Sequence, residues 1–421
     1  MADAKAVVID TSGMVRNSAT GDVVVVPGLK DSALSTGKIP VATTDGQLID
    51  GPTDASTNWN SAVSHKTTED ALTGLVKCDG AGNYSAVVDY SANWINNYNY
   101  LINGGFDFFQ RTAPETLTAV ANDAYGPDRW NILTQTTTVQ IQRVAGAFFS
   151  YHGGILKQNQ AAAQRMGMEQ ILETVTSLAL RNRTITVQAQ IKCSSSQPIR
   201  IAILEWTGTA DTPTSNVVRD WTSGTFTANN FFLASNLTVT AVAAVTPTAY
   251  TWTPFSVSGT VSGNCINLIV FIWTEGTAAQ NVTLDITEAG LYTGTQIRNW
   301  EPRFMQQEIA LCQRYYEKSY ELDIPPGTAS YDSSMATTMV TAIRPGDRHI
   351  QYQTKKVAAN APTLWSVKTA NTSGVTTNTD DGLDCTSLID YASSSGATWY
   401  VSAGGIAGHS HYFHWSISCE L

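Results

Sequence analysis

The chain has 421 residues, enough for two or three domains. Charged residues make up only 14% of it and the net charge is −10, which excludes the basic face a nucleic-acid binder needs. Aromatics at 9%, with eleven tryptophans, exclude a disordered chain, and no run approaches the length of a membrane-spanning helix.

The opening MADAKAVVIDTSGMVRNS lacks the apolar core of a signal peptide, so synthesis and folding in a cytoplasm are expected. The six cysteines, Cys78, Cys193, Cys265, Cys312, Cys385 and Cys419, are scattered without a CxxC pair. They read as reduced, mostly buried thiols, not as a disulfide frame or a zinc site. Residues 1–99 read as short β segments between glycine-containing turns. Val23–Val26 is a brief apolar run stopped by Pro27-Gly28. Residues 39–48 and 74–84 each read as a strand, an Asp-Gly turn and a second strand, which is a hairpin signal. Between them, residues 55–66 form a short-helix candidate with Trp59 and Val63 four apart. A region this poor in large apolar side chains should struggle to fold alone, and association of several copies around a shared narrow core is the economical solution.

From Asn103 the character changes. The stretch NGGFDFFQRTAPETLTAVANDAYGPDRW (103–130) opens on a turn that suits glycine. Phe106, Phe108 and Gln110 then alternate with Asp107, Phe109 and Arg111, the pattern of a half-buried strand. Residues 138–144, 183–192, 199–206 and 265–273 alternate likewise, and no helix is long enough for a βαβ crossover. The expectation for 100–303 is therefore an antiparallel β-sandwich. Residues 160–174 score as helix by composition, but Gly167 interrupts them and part of the segment is expected to be extended.

EPRFMQQEIALCQRYYEKSY (301–320) carries apolar residues at three- and four-residue spacing and reads as the clearest helix, connecting over 304–320. Strands return at 337–343, 349–354, 363–369 and 412–421, giving a small C-terminal β domain over 321–421. The fold class is all-β: a thin N-terminal oligomeric stalk, a central antiparallel β-sandwich, one short helix and a β tip.

Three stretches together resemble bacteriophage tail-fibre and tail-appendage proteins. They are NGGFDFFQRT…AYGPDRW, ITEAGLYTGTQIRNWEPRFMQQEIALCQRYYEKSY (286–320), and the pairing of an Asp-Gly-rich N-terminal region with a strand finishing Glu420-Leu421. The resemblance implies a homotrimer, a central antiparallel jelly-roll β-sandwich (100–303) resembling carbohydrate-binding modules, and a receptor-binding protein of the virion. Its N-terminal region would dock on tail or baseplate proteins and its head and tip on host cell-surface polysaccharide. The alternative is a structural neck, collar or baseplate appendage. A depolymerase is less favoured, because carboxylates are sparse and no parallel β-helix repeat is visible. The Arg129/Trp130 and Trp300/Arg303 pairs are expected to close the two ends of the sandwich.

Sugar recognition calls for exposed aromatic faces beside planar polar groups. Residues 207–221, residues 229–232 and the C-terminal 391–412 offer that mixture in connecting loops. The C-terminal stretch lies farthest from the stalk, and the carbohydrate-binding candidates there are Tyr391, Trp399, Tyr400, His409, His411 and Tyr412. His409-Ser410-His411 would present two imidazoles together on a strand, and on a threefold axis three such pairs would make an octahedral set. Surface histidines are the expectation, with no metal. Asp380-Asp381-Gly382-Leu383-Asp384 lacks calcium-loop spacing and reads as a solvated turn. No phosphate loop, GxSxG or HExxH appears, so neither an enzyme nor a cofactor is expected.

Overall fold

The computed structural model describes residues 98–421 and six short strands of the preceding part, and the chain divides into two compact units, Met1–Ile95 and Asn96–Leu421. In the first unit β1 (Val7–Ile9) pairs with β2 (Val15–Asn17), β3 (Pro40–Ala42) with β4 (Leu48–Asp50) and β5 (Val76–Cys78) with β6 (Tyr84–Ala86), all antiparallel. The last two pairs flank the Asp-Gly turns read from the sequence; the first is an addition to that reading. The run at 23–26, the helix candidate at 55–66 and the stalk as a whole lie outside the described residues.

The second unit is nearly all β. Its strands are β7 (Thr118–Val120), β8 (Ala124–Tyr125), β9 (Asn131–Thr134), β10 (Val139–Ala145), β11 (His152–Lys157), β12 (Met166–Ile171), β13 (Thr184–Cys193), β14 (Ile199–Trp206), β15 (Leu237–Val245), β16 (Thr253–Thr260), β17 (Asn267–Thr274) and β18 (Thr283–Thr293). They build two six-stranded antiparallel sheets, β16-β13-β18-β11-β10-β7 and β15-β14-β17-β12-β9-β8. Alternation sets the inner faces. Ile185, Val187, Ala189 and Ile191 of β13 meet Ile199, Ile201 and Ile203 of β14 in one shared core. Residues 166–171 are strand, as their neighbours demand, and Gly167 is required: a Cβ there would sit 2.5 Å from the Ile272 carbonyl oxygen.

The second sheet is apolar on its other face too, which is why IRIAILEW and NLIVFIWT read as nearly continuous apolar runs. The β14–β15 connection, residues 207–236, folds back over that face. It places Phe231 and Phe232 against Trp273, with Phe231 stacked on its indole at 5.2 Å. Sequence reading had this pair available to a ligand; both rings are fully buried.

Residues 103–111 are a loop, not the strand their alternation suggested. Asn103, at φ 55°, donates to the carbonyls of Phe108 and Asp128 and accepts from the Phe108 N–H, so its amide takes up groups a ladder would have used. The Trp130 indole N–H closes onto the Asn103 carbonyl, and its ring stacks on Phe106. The sandwich ends meet here. Tyr100 N–H donates to the Leu291 carbonyl and Ala289 N–H to the Gly104 carbonyl, while Arg303 binds the carbonyls of Asn99 and Leu101 and pairs with Glu308. The closure expected between 103–130 and 289–303 is present.

The helix is shorter than read. It spans Met305–Gln313, and residues 316–318 are a strand, β19 (Tyr316–Lys318). A second short helix, Thr174–Leu178, lies in the sandwich. The helix stops because Tyr315 and Arg314 turn to Glu173, and Tyr315 also lies under the Arg129 guanidinium at 3.5 Å. β19 then joins the C-terminal sheet, with β20 (Met335–Thr338), β21 (His349–Gln351), β22 (Thr363–Trp365), β23 (Val375–Asn378), β24 (Leu383–Ala392), β25 (Gly396–Ala403) and β26 (Ser410–Ser418). β26 is the spine: β19, β20, β22 and β23 all pair with it, and its Phe413, Trp415 and Ile417 fill the core. The strands read at 337–343, 349–354 and 363–369 are cut to short bridging pieces by turns.

The joint between sandwich and C-terminal sheet is polar and buried. Glu420 pairs with both Arg129 and Arg111, and Arg111 also lies 3.6 Å from Asp128. Lys318 donates to the carbonyls of Gln110, Leu322 and Ile324; burial lowers its ammonium to about 8. The sequence motifs that carried the resemblance therefore build this joint, where Arg111 and Arg129 share the Glu420 carboxylate.

Candidate functional site

The outward face of the first sheet holds a groove of about 240 Å3. Alternation turns Gln188 and Gln190 of β13 outward, and register sets them beside Ser256 and Pro254 of β16 and beside Gly290 and Thr287 of β18. The pairing of β13 with β18 slips between Gln188 and Gln190, and Glu288 in that bulge adopts φ 51°. The bulge aims Glu288 at the β10–β11 connection, where its Oε1 accepts from the N–H groups of Phe149 and Ser150. Phe149 is thereby held at the groove's rim, 60% exposed, opposite Ile297 at 67%.

The far wall is residues 297–300. Gln188 grips it by accepting from the Arg298 N–H and donating to the Arg298 carbonyl. Trp300 lies against the Gly104-Gly105 turn; a Cβ on Gly104 would meet its ring at 3.0 Å and the Ala289 carbonyl oxygen at 2.0 Å. The glycines of the Asn103 turn are thus needed for this wall.

Several buried polar atoms here have no partner: Arg298 Nε and Nη1, Trp300 Nε1 and Gln190 Oε1. Such orphans cost about 1–3 kcal/mol each, and folded proteins carry few of them. They belong to residues that line the groove together with the exposed Phe149 ring and Ile297 side chain. That is the complement of a ring bearing hydroxyls on its edges and C–H groups on its faces. Glu288 is the one carboxylate lining the groove.

The residues selected from the sequence lie elsewhere, in the C-terminal sheet. Tyr391 is 71% exposed on β24. Trp399 is in the core against Phe413, and Tyr400, its neighbour on β25, is half-buried under Arg344 at 6.0 Å. His411 is buried, bonded through Nδ1 to the Thr376 hydroxyl, and burial lowers its imidazole below the ordinary histidine value. His409 is half-buried against Asn378, and half-buried Tyr412 packs on Tyr331. Tyr391, Tyr400 and Tyr412 thus retain accessible surface, whereas Trp399 and His411 are enclosed. Among the described residues no group of three or more His, Cys, Asp or Glu side chains could hold a metal ion. Asp380, Asp381 and Gly382 turn the chain between β23 and β24. The five described cysteines are free and buried.

Sequence reading missed the groove because its members come from five separated segments. The available signal was RTITVQAQIK, whose outward positions are two threonines, two glutamines and a lysine where a simple solvent face would carry mostly charges.

No protein-family model matches this chain, and no curated protein sequence does. Among solved structures it is similar to the enzymatically active domain of tailspike protein 4 of bacteriophage CBA120, at 10% identity and TM-score 0.28. That match covers 47% of this chain and 21% of that one, well under two thirds of its length. It is also similar to a family 61 carbohydrate-binding module solved with β-1,4-galactotriose, at 12% identity and TM-score 0.26 over 47% of this chain and 99% of that one. A third is the C-terminal family 22 carbohydrate-binding module of Clostridium thermocellum Xyn10B, at 13% identity and TM-score 0.26 over 45% and 99%.

Proposed function

We propose that this chain is a glycan-binding component of a bacteriophage virion appendage, a tail fibre that recognises host surface polysaccharide. The observation that carries glycan binding is the groove, whose lining sets the polar side chains of Gln188, Gln190, Glu288 and Arg298 beside Trp300 and the exposed Phe149 and Ile297. The virion placement, the homotrimer and docking of the N-terminal region on tail or baseplate proteins rest on the motif resemblance. Mechanistically, each groove binds weakly and repetition multiplies it; linked sites gain roughly 10²–10⁴ over a single one. The C-terminal face around Tyr391, Tyr400, Tyr412 and His409 is a second candidate station. The role is read as binding without catalysis; a depolymerase would need two carboxylates across the scissile bond.

The test is binding of the full chain to a glycan array and to whole bacterial cells, beside an Arg298→Ala variant. Binding that the variant loses supports the reading; a folded wild type that binds no glycan and no cell defeats it. One observation favours the structural-appendage alternative. Phe148, Phe149 and Tyr151 stand exposed on a single loop, as a protein-contacting surface would have them. Labelling the protein on particles distinguishes the two, because an enclosed position leaves no access to a host.

A further inference from the structure

Past β19 the chain runs from Ser319 to Ile343 with Glu321, Asp323 and Asp332 and no basic residue. Its first part folds into a loop whose two arms, residues 320–324 and 328–332, wall a pocket of about 600 Å3. Both arms are fixed from behind. The Lys318 ammonium donates to the carbonyls of Leu322 and Ile324 on the first arm. On the second, the Ser330 carbonyl accepts from His414 Nε2, and Tyr320 stacks on that imidazole at 3.7 Å. The Gly327 N–H donates to the Tyr320 hydroxyl, and Pro325-Pro326 stiffens the tip that joins the arms. The pocket is therefore built before a ligand arrives, and filling it carries little ordering cost. None of its lining residues belongs to the groove on the first sheet.

We propose that this pocket binds a linear aliphatic polyamine, with ammonium groups at Glu321, Asp323 and Asp332 and methylenes along Leu322, Ile324 and Ala329. All six residues line the pocket and are exposed, so its walls are open to a ligand entering from solvent. The lining holds no lysine, arginine or histidine, and Lys318 spends its donors on the carbonyls of Gln110, Leu322 and Ile324. Glu321 takes the Ser333 hydroxyl, a neutral donor. Asp323 lies 3.4 Å from Arg143, a guanidinium that Glu115 holds closer, at 2.7 Å. The three carboxylates do not converge: among the described residues no three His, Cys, Asp or Glu side chains are gathered so as to hold a metal ion. Negative charge spread around an aliphatic wall is the complement of positive charges spaced along methylenes, and not of a compact ion. A pyranose finds no stacking face, because Tyr320, the aromatic of the lining, is buried against His414.

The experiment titrates the full chain by calorimetry, at low ionic strength, with spermidine, putrescine and hexaamminecobalt(III). The cobalt complex has the triple charge of spermidine without methylenes, and putrescine has methylenes with one charge fewer. Spermidine should saturate a single site and bind about fivefold more tightly than either. Asp332→Asn and Leu322→Ser should each weaken it about fivefold, with thermal unfolding unchanged because both side chains are exposed. Arg298→Ala, in the groove, should leave spermidine binding as it is. Equal binding of spermidine and the cobalt complex, or a spermidine affinity that survives both pocket substitutions, shows a diffuse counterion atmosphere and overturns the proposal. Glucosamine bound as tightly as spermidine overturns it as well, by making the pocket a sugar site. So does the lack of any saturable binding, and none of these results touches the glycan groove.

Discussion

Replacing Glu420 by alanine removes the anion that holds two guanidiniums at the joint. Arg129 is buried and Arg111 nearly so, and both rely on that carboxylate. Removing one partner of a buried pair costs about 3–5 kcal/mol, because the remaining charge stays desolvated. Some compensation remains: Arg129 keeps the Ile171 carbonyl and the Tyr315 ring, and Arg111 keeps Asp128. The loss therefore belongs at the lower end, about 3 kcal/mol. Glu420→Gln retains the shape and hydrogen-bond acceptor without the charge and should lose about half as much. Urea unfolding followed by tryptophan fluorescence gives both values. It should also show the C-terminal sheet unfolding earlier than the sandwich in Glu420→Ala, since the joint is what couples them. If both variants fall within about 0.5 kcal/mol of wild type and unfold in one transition, the joint is not held by these ions.

Other substitutions separate the scaffold from the surface. Phe231→Ala empties a site stacked on Trp273 beneath the β14–β15 connection and should cost about 3–5 kcal/mol in the same unfolding assay, with glycan binding retained. Gly104→Ala drives a Cβ into the Ala289 carbonyl and the Trp300 ring; a loss of at least about 2 kcal/mol is expected, with weakened glycan binding because the groove wall moves. The third prediction concerns pH. His414 is buried between Tyr320, Ser319 and the Ser330 carbonyl, and burial lowers its imidazole to about 4, against about 6.5 in an unfolded chain. The unfolded state therefore binds the proton first as pH falls. The His414 contribution should be constant above pH 6.5 and decline towards pH 4, by up to about 3 kcal/mol, and His414→Gln should remove most of that slope. A slope unchanged in the variant would assign it to other groups.

Much of the scaffold was legible because sheet periodicity is local. Strand 199–206 falls at the bounds its alternation gave, and 138–144 and 183–192 are displaced by a single residue. Failures came where a side chain competes with the ladder or a distant segment decides. Asn103 takes up the backbone groups of 103–111, so an alternating sequence became a loop. Tyr315 and Tyr316 kept helical spacing with Ile309 and Cys312, but one turns to Glu173 and the other enters a strand beside β26. Phe231 and Phe232 looked like loop aromatics until the long connection folded onto Trp273. The groove was not legible at all, because an unpartnered atom exists only after folding has supplied every other partner. Trp300 could be recognised as a wall of the sandwich from its motif, yet nothing in the sequence shows that its N–H has no acceptor.

The central claim is that the groove on the first sheet, more than the C-terminal face, provides the main contact with a glycan. Arg298→Ala and Tyr391→Ala test it side by side, titrated with whichever neutral oligosaccharide the wild-type chain binds. Arg298 lines the groove, and one charge-assisted hydrogen bond to it is worth about 1.5–3 kcal/mol, so its loss should weaken binding about tenfold or more. Tyr391, exposed at the surface of β24, should leave the affinity unchanged. The opposite outcome, full affinity in Arg298→Ala and a tenfold loss in Tyr391→Ala, would move the site to the C-terminal sheet and contradict the account.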